Sequence, residues 1–187
     1  MRGQAVIHSS ARVKEGGGSD SWGARVKEGG GSDSWGTPDN VLELVRKLGP
    51  IALDVASSAE ANEHVRAKEF YDGSCDERDG LKATWATEYG VTFCNPPYSK
   101  MAAWSDAAIR YLGRGGHLVM LMPSRTDTRW WATLWLGMRA VCFVRGRLTF
   151  RDADSPAPFP SALFYSGDAP HRFADVFGEL GHVLVLR

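Results

Sequence analysis

The sequence predicts an α/β fold: a mostly parallel sheet with helices on both faces and an antiparallel hairpin near the C-terminus. Three observations predict it. Four short runs, IALDVA (Ile51–Ala56), VTFCN (Val91–Asn95), HLVMLMPS (His117–Ser124) and AVCFVRG (Ala140–Gly146), have the near-continuous apolar character of strands buried on both faces. Segments with apolar residues at helical spacing lie between them. Gly and Pro punctuate the joints. Strands alternating with helices imply parallel pairing, because a parallel crossover needs a helix-length connection. The chain has 187 residues, enough for one domain with a substantial core.

The elements follow in order. At the N-terminus ARVKEGGGSDSWG occurs twice without a change, at Ala11–Gly23 and Ala24–Gly36. Two Gly-rich 13-mers cannot bury faces against each other as true repeat units do. Residues 1–31 therefore read as a flexible segment, and 32–187 as the folded domain. Thr37-Pro38 reads as a helix start, with Thr37 as N-cap and Pro38 at the first helical position. NVLELVRKLG continues that helix until Gly49-Pro50 stops it. IALDVA is a strand, SAEANEHVRAK a helix and EFYD a second short strand. VTFCN is a strand ended by Pro96-Pro97, since proline donates no ladder hydrogen bond. MAAWSDAAIRYLGRGG is a helix with a Gly stop, HLVMLMPS a strand, TRWWATLWLGM a helix and AVCFVRG a strand. RLTFRD and SALFYSG flank a Pro-rich loop and read as an antiparallel pair, and GHVLVLR closes the sheet.

Ligand sites in such sheets lie outside the carboxyl ends of the strands. Asp54, Asn95 and Ser124 fall at those ends. The proline pair in FCNPPYSK gives the most specific chemistry. The nitrogen of a purine's exocyclic amine is a poor nucleophile, because its lone pair is delocalised into the ring. Two acceptors aimed at its two N–H bonds return electron density to it. The Asn95 side-chain oxygen supplies one, and the Pro96 carbonyl the other. Pro97 fixes the direction of that carbonyl, which is electrostatic preorganisation. Tyr98 offers a ring on which a base can stack. A base held this way has left its helix. The same four residues also suit a plain strand-to-helix turn, with Asn95 turning and Tyr98 packing.

Charge supports a polyanion. From Lys100 to Arg151 nine basic residues face two acidic ones, a net +7 inside a chain of net zero charge. Lys100, Arg125, Arg129, Arg145 and Arg147 are expected to line the face on which Asn95 opens. Arg125 or Arg129 is the expected base reader, while Arg145 and Arg147 are expected on phosphates. Trp130, Trp131 and Trp135, at helical spacing, read as core. Three widely spaced cysteines and five unclustered histidines give neither a disulfide framework nor a metal site. MRGQAVIHSS lacks the apolar run of an export signal, and no stretch is long enough to span a membrane.

The blocks SDSWGTP, LDVASSAEAN, DGLKATW, FCNPPYS, LMPSRTDTRWW, GRLTF and APFPSALF, in this order, resemble the phage-type DNA N6-adenine methyltransferases. The resemblance runs from about Ser32 to Ser166. It implies a Rossmann-like methyltransferase fold, S-adenosylmethionine as cofactor, DNA as partner and a cytoplasmic place in a phage- or prophage-carrying bacterium. It also implies that Asn95, Pro96, Pro97 and Tyr98 form the catalytic tetrad. By the same resemblance Trp35, Thr37 and Pro38 lie near the cofactor, with Thr37 bonded to its methionine part. Asp54 then faces the cofactor's charged methionine end, and Asp79 approaches its adenosine. Core packing for Trp35, a cap role for Asp54 and a turn role for Asp79 are the competing readings. Asp54 is followed by VASSAEAN, without the glycines of many methyltransferase loops, as in that family. Two other functions compete. One is an amino-group methyltransferase acting on RNA or protein glutamine; the other is an inactive prophage remnant that only binds nucleic acid.

Overall fold

The structure, a computed structural model, describes residues 32–87 and 89–186. The expected flexible segment 1–31 lies outside the described residues. Among the described residues seven strands form one sheet: β1 (Ile51–Asp54), β2 (Glu69–Phe70), β3 (Val91–Cys94), β4 (Leu118–Pro123), β5 (Ala140–Val144), β6 (Ser161–Ser166) and β7 (Gly181–Val185). Their order is β2-β1-β3-β4-β6-β5-β7. β2, β1, β3 and β4 pair in parallel, while β6 runs antiparallel to both β4 and β5. β7 runs antiparallel to β5 at the edge. β5 thus points the same way as β1–β4, and the sheet is mostly parallel.

Among the described residues α1 (Asp39–Leu48) leads into β1, and four helices connect strands: α2 (Ala59–Val65), α3 (Met101–Leu112), α4 (Arg129–Gly137) and α5 (Pro170–Phe177). They cover both faces. On β6, Phe164 meets Trp131 and Trp135 of α4, while its neighbour Tyr165, pointing the opposite way, stacks on Phe173 of α5. α1 packs beside α5 and α3 against α4. β4 is buried along its whole length, which accounts for the unbroken apolar run in its sequence. Among the described residues no helix is long and apolar enough to cross a membrane.

Three sequence expectations need correction. RLTFRD is not a strand: only Arg151 makes a ladder contact, a bridge to Gly36. SALFYS, as β6, pairs instead with β4 and β5. Leu148 and Phe150 are nonetheless buried, so the alternating pattern is real but serves a pinned loop. Thr37 is not the helix cap. The first turn is closed on the Pro38 carbonyl, which accepts from Val41 and Leu42, and Thr37 is buried one residue earlier. Helix α5 has no counterpart among the expected elements, although Phe173 and Phe177 sit one turn apart on its buried side.

The carboxyl ends of β1, β3, β4 and β5 and the start of β6 share one edge. Asp54, Asn95, Ser124, Arg145 and Pro160 emerge there.

Candidate active site

Asn95 follows the last residue of β3 and turns the chain into the proline pair. Pro96 is buried, and Pro97 leads into a single 3-10 turn, Tyr98–Lys100, that runs straight into α3. The Asn95 amide is held at both ends. Its Nδ2 donates to the Trp35 carbonyl at 3.1 Å, and its Oδ1 accepts from the Tyr98 hydroxyl at 3.0 Å. Among the described residues no hydrogen bond ends on the Pro96 carbonyl, whereas the Pro97 carbonyl accepts from Lys100 N at 3.1 Å. Two acceptor groups with spare capacity therefore stand on adjacent residues.

The segment before α1 lies against this turn. The Asp33 carboxylate accepts from Ser99 N at 3.0 Å and from the Ser99 hydroxyl. The Trp35 ring stacks on Phe150 (5.3 Å between centroids) and Phe159 (6.0 Å). Tyr98 meets both phenylalanines edge-on and is 8% exposed. Gly36 accepts from Arg151 N at 2.8 Å, and the Arg151 guanidinium reaches Asp39 (3.0 Å) and His64 Nε2 (2.7 Å). Asp33, Ser99, Phe150 and Phe159 were not singled out by the sequence. Asp33 and Ser99 lie 66 positions apart, and the phenylalanines lie farther still from Trp35, beyond any local spacing rule.

Asp54, at the end of β1, is 2% exposed. Its Oδ1 accepts from Ala56 N at 3.2 Å. Burial pushes its carboxyl up to about 6, and the bonds from Ala56 and Ser57 only partly offset this. Among the described residues no cation pairs with it. Nearby Cys94 has its thiol raised by burial and then by the Asp54 charge. Asp79 is buried too; its Oδ1 accepts from Leu81 N at 3.0 Å and its Oδ2 lies 3.5 Å from Lys82. A turn role is thus visible for Asp79. Its neighbour Gly80 is forced: a Cβ there would stand 2.1 Å from the Val55 carbonyl and 2.6 Å from the Trp104 ring. That close approach brings the Asp79 loop against the residue following Asp54. Among the described residues no group of three or more His, Cys, Asp or Glu is placed to hold a metal ion.

The model of the DNA N-6-adenine-methyltransferase (Dam) family matches residues 26–161, more than half of the chain. The chain belongs to the Dam family. The matched span holds the Asn95–Tyr98 turn, the Asp33–Pro38 segment, Asp54, Asp79 and the loop that carries Phe150 and Phe159. No curated protein gives a match.

In this Dam-family chain the basic segment divides by position. Lys100 ends the 3-10 turn after Tyr98. Arg125 follows β4 and Arg129 opens α4; Thr128 closes that loop by donating to the Arg125 carbonyl at 2.8 Å and accepting from Trp131 N. Arg145 and Arg147 follow β5. All five stand at the same edge as Asn95, and among the described residues none has an ion-pair partner. Arg114 and Arg139 stand at the opposite edge, after α3 and before β5. Arg110, in the last turn of α3, donates to the Leu81 carbonyl. Arg151 is occupied by Asp39 and His64. Trp131 is core, with Trp130 and Trp135 packed against it.

Proposed function

We propose that this chain transfers a methyl group from S-adenosylmethionine to the N6 amine of an adenine in DNA, on a base turned out of the helix. The observation that supports this best is the pair of acceptors at the end of β3: Asn95 Oδ1, with its amide held at both ends, and the open Pro96 carbonyl. An amine that bonds both has its lone pair pushed out of conjugation and towards a methyl donor. Neither acceptor is a base, so the proton that N6 loses passes to solvent after transfer.

The residues at the end of β1 fit the cofactor. Asp54 is a buried carboxylate with no cation facing it among the described residues, the environment that a bound ammonium completes. Asp79, brought beside that strand end by Gly80, would approach the adenosine of the same molecule. Trp35 and Thr37 border the same edge from the N-terminal side. When bound, S-adenosylmethionine supplies a methyl on a cationic sulfur, and the electron pair of the breaking C–S bond leaves with that sulfur as N6–C forms. The chain's part is to hold the amine in line, keep water out with Trp35, Phe150 and Phe159, and grip the DNA backbone through the cations at the same edge.

The test is direct. Purified protein is incubated with methyl-labelled S-adenosylmethionine and unmethylated DNA, and the product nucleosides are separated. The label is expected in N6-methyladenine. Label in N4-methylcytosine overturns the adenine assignment, and label in protein overturns the DNA assignment. Asn95→Ala is expected to lower turnover by about 10²–10³, the cost of one missing transition-state partner, while the fold survives.

A further inference from the structure

The two hydrogen bonds on Asn95 determine more than its position. A side-chain amide can be turned either way, and the network decides which. The Trp35 carbonyl can only accept, so Nδ2 must face it. Oδ1 then faces Tyr98, and the Tyr98 hydroxyl must be the donor. Oδ1 has two lone-pair sites, and Tyr98 occupies one. The other remains for a substrate N–H.

Tyr98 itself is held in place by its surroundings. Its ring is 8% exposed and meets Phe150 and Phe159 at steep interplanar angles of 76° and 74°. Its hydroxyl is fixed from within the turn, because two prolines separate it from the residue it bonds. Burial also raises the phenol well above its usual range, so it keeps its proton and stays a donor at any working pH.

We infer that Tyr98 serves the reaction through its hydroxyl, as a positioning residue that with the Trp35 main-chain carbonyl sets the orientation of the Asn95 amide. The inference rests on the methyltransferase reading above and concerns how its acceptor is held. Without the hydroxyl Asn95 keeps one anchor and can rotate, so the acceptor must be reoriented in each turnover. If Tyr98 served only as a stacking platform, its hydroxyl would be dispensable.

The experiment compares the full chain with Tyr98→Phe and Tyr98→Leu on a duplex carrying 2-aminopurine at the target position. Single-turnover methyl transfer, cofactor KM, DNA affinity, 2-aminopurine fluorescence and melting midpoint are measured, with transfer followed on the matching adenine duplex. Tyr98→Phe is expected to slow transfer about tenfold, the size of one net hydrogen bond. Cofactor KM, DNA affinity and the fluorescence of the turned-out base should stay at their wild-type values. Tyr98→Leu should disturb the fluorescence as well, because it empties the aromatic cluster. If Tyr98→Phe melts below the assay temperature, fluorinated tyrosines at position 98 keep the ring and alter donor strength; transfer should then change with phenol acidity. Wild-type transfer by a folded Tyr98→Phe, or a flat fluorotyrosine series, overturns the inference while leaving the methyltransferase reading intact. A wild-type chain that forms no N6-methyladenine overturns that reading and this inference together.

Discussion

The carboxylate of Asp54 is buried without a cation beside it among the described residues, and its titration follows from that. Its folded value, about 6, lies above the ordinary 3.8. Between those two values the folded chain holds a proton that the unfolded chain has released. The contribution of Asp54 to stability without ligand is therefore fully present below pH about 4 and is lost as the pH rises through about 6, by on the order of 3 kcal/mol. A cation bound at Asp54 reverses the balance, because it favours the ionised form. S-adenosylmethionine affinity, measured by calorimetry, is thus expected to weaken as pH falls below about 6, by up to about tenfold per pH unit. Asp54→Asn should flatten that profile, weaken binding at about pH 7 and raise the melting midpoint of the ligand-free protein there. A wild-type affinity that ignores pH between about 5 and 7 would count against Asp54 as the partner of the cofactor's ammonium. No such charge is visible in LDVASS as text; the sequence shows a polar residue at a strand end, and only the packing shows that it is buried and unmatched.

At the scale of elements, the 3-10 turn that leads into α3 depends on a residue outside it. Neither the Tyr98–Lys100 turn nor α3 has a side-chain cap of its own, and the Ser99 N–H is satisfied by Asp33. Asp33→Ala is expected to cost about 1–2 kcal/mol of stability, the range for removing an N-cap, and Asp33→Asn less, since one acceptor remains. Thermal melting reads both, and equal melting of all three chains would remove the cap role. The duplication bears on this same interaction. Excising Ala11–Gly23 or Ala24–Gly36 yields one and the same sequence, in which SDSWGTP still runs into α1. That chain is expected to transfer methyl groups at close to the full-length rate, and a large fall would give the extra copy a task. Elements with strong local signals were legible in the sequence. The strands announced themselves by apolar runs, and the proline-held turn by its composition. The 147–152 segment misled because a period of two marks burial, not pairing: Leu148 and Phe150 point inward while Ala157 N, not a partner strand, meets the Leu148 carbonyl. The grip of Asp33 and Trp35 on the turn could not be read at all, because nothing local links positions 60 and 66 apart.

Over the whole molecule, a net charge of zero hides a sorted surface. At the edge opposite the site, His117 lies 3.2 Å from Asp168. At the site edge Lys100, Arg125, Arg129, Arg145 and Arg147 have no ion-pair partner among the described residues, the arrangement that a polyanion exploits by releasing its counterions. Under the proposed function their spacing would divide their roles. Arg125 emerges one strand from Asn95, and Arg145 three strands away, about 14 Å at the usual inter-strand distance. Under the proposed function a turned-out base would fill the near position, so Arg125 and Arg129 would reach the neighbouring base pairs, while Arg145 and Arg147 would reach the backbone that flanks them. Alanine at Arg145 or Arg147 is expected to weaken binding to target and scrambled duplexes alike, and to reduce the salt slope by about 1 for each phosphate left without its cation. Alanine at the base-reading member of the Arg125–Arg129 pair should cost about 1–3 kcal/mol on the target duplex only and relax one position of the recognised sequence. Arg114→Ala and Arg139→Ala remove the same charge from the opposite edge and are the controls, since they change net charge without touching the site. DNA affinity measured against salt for this set separates two causes. If slopes fall equally for the control arginines and the five at the site edge, binding follows total charge and no face is selected. If slopes fall only for the site-edge residues, the DNA lies across the carboxyl ends of β3, β4 and β5, with Asn95 beneath it.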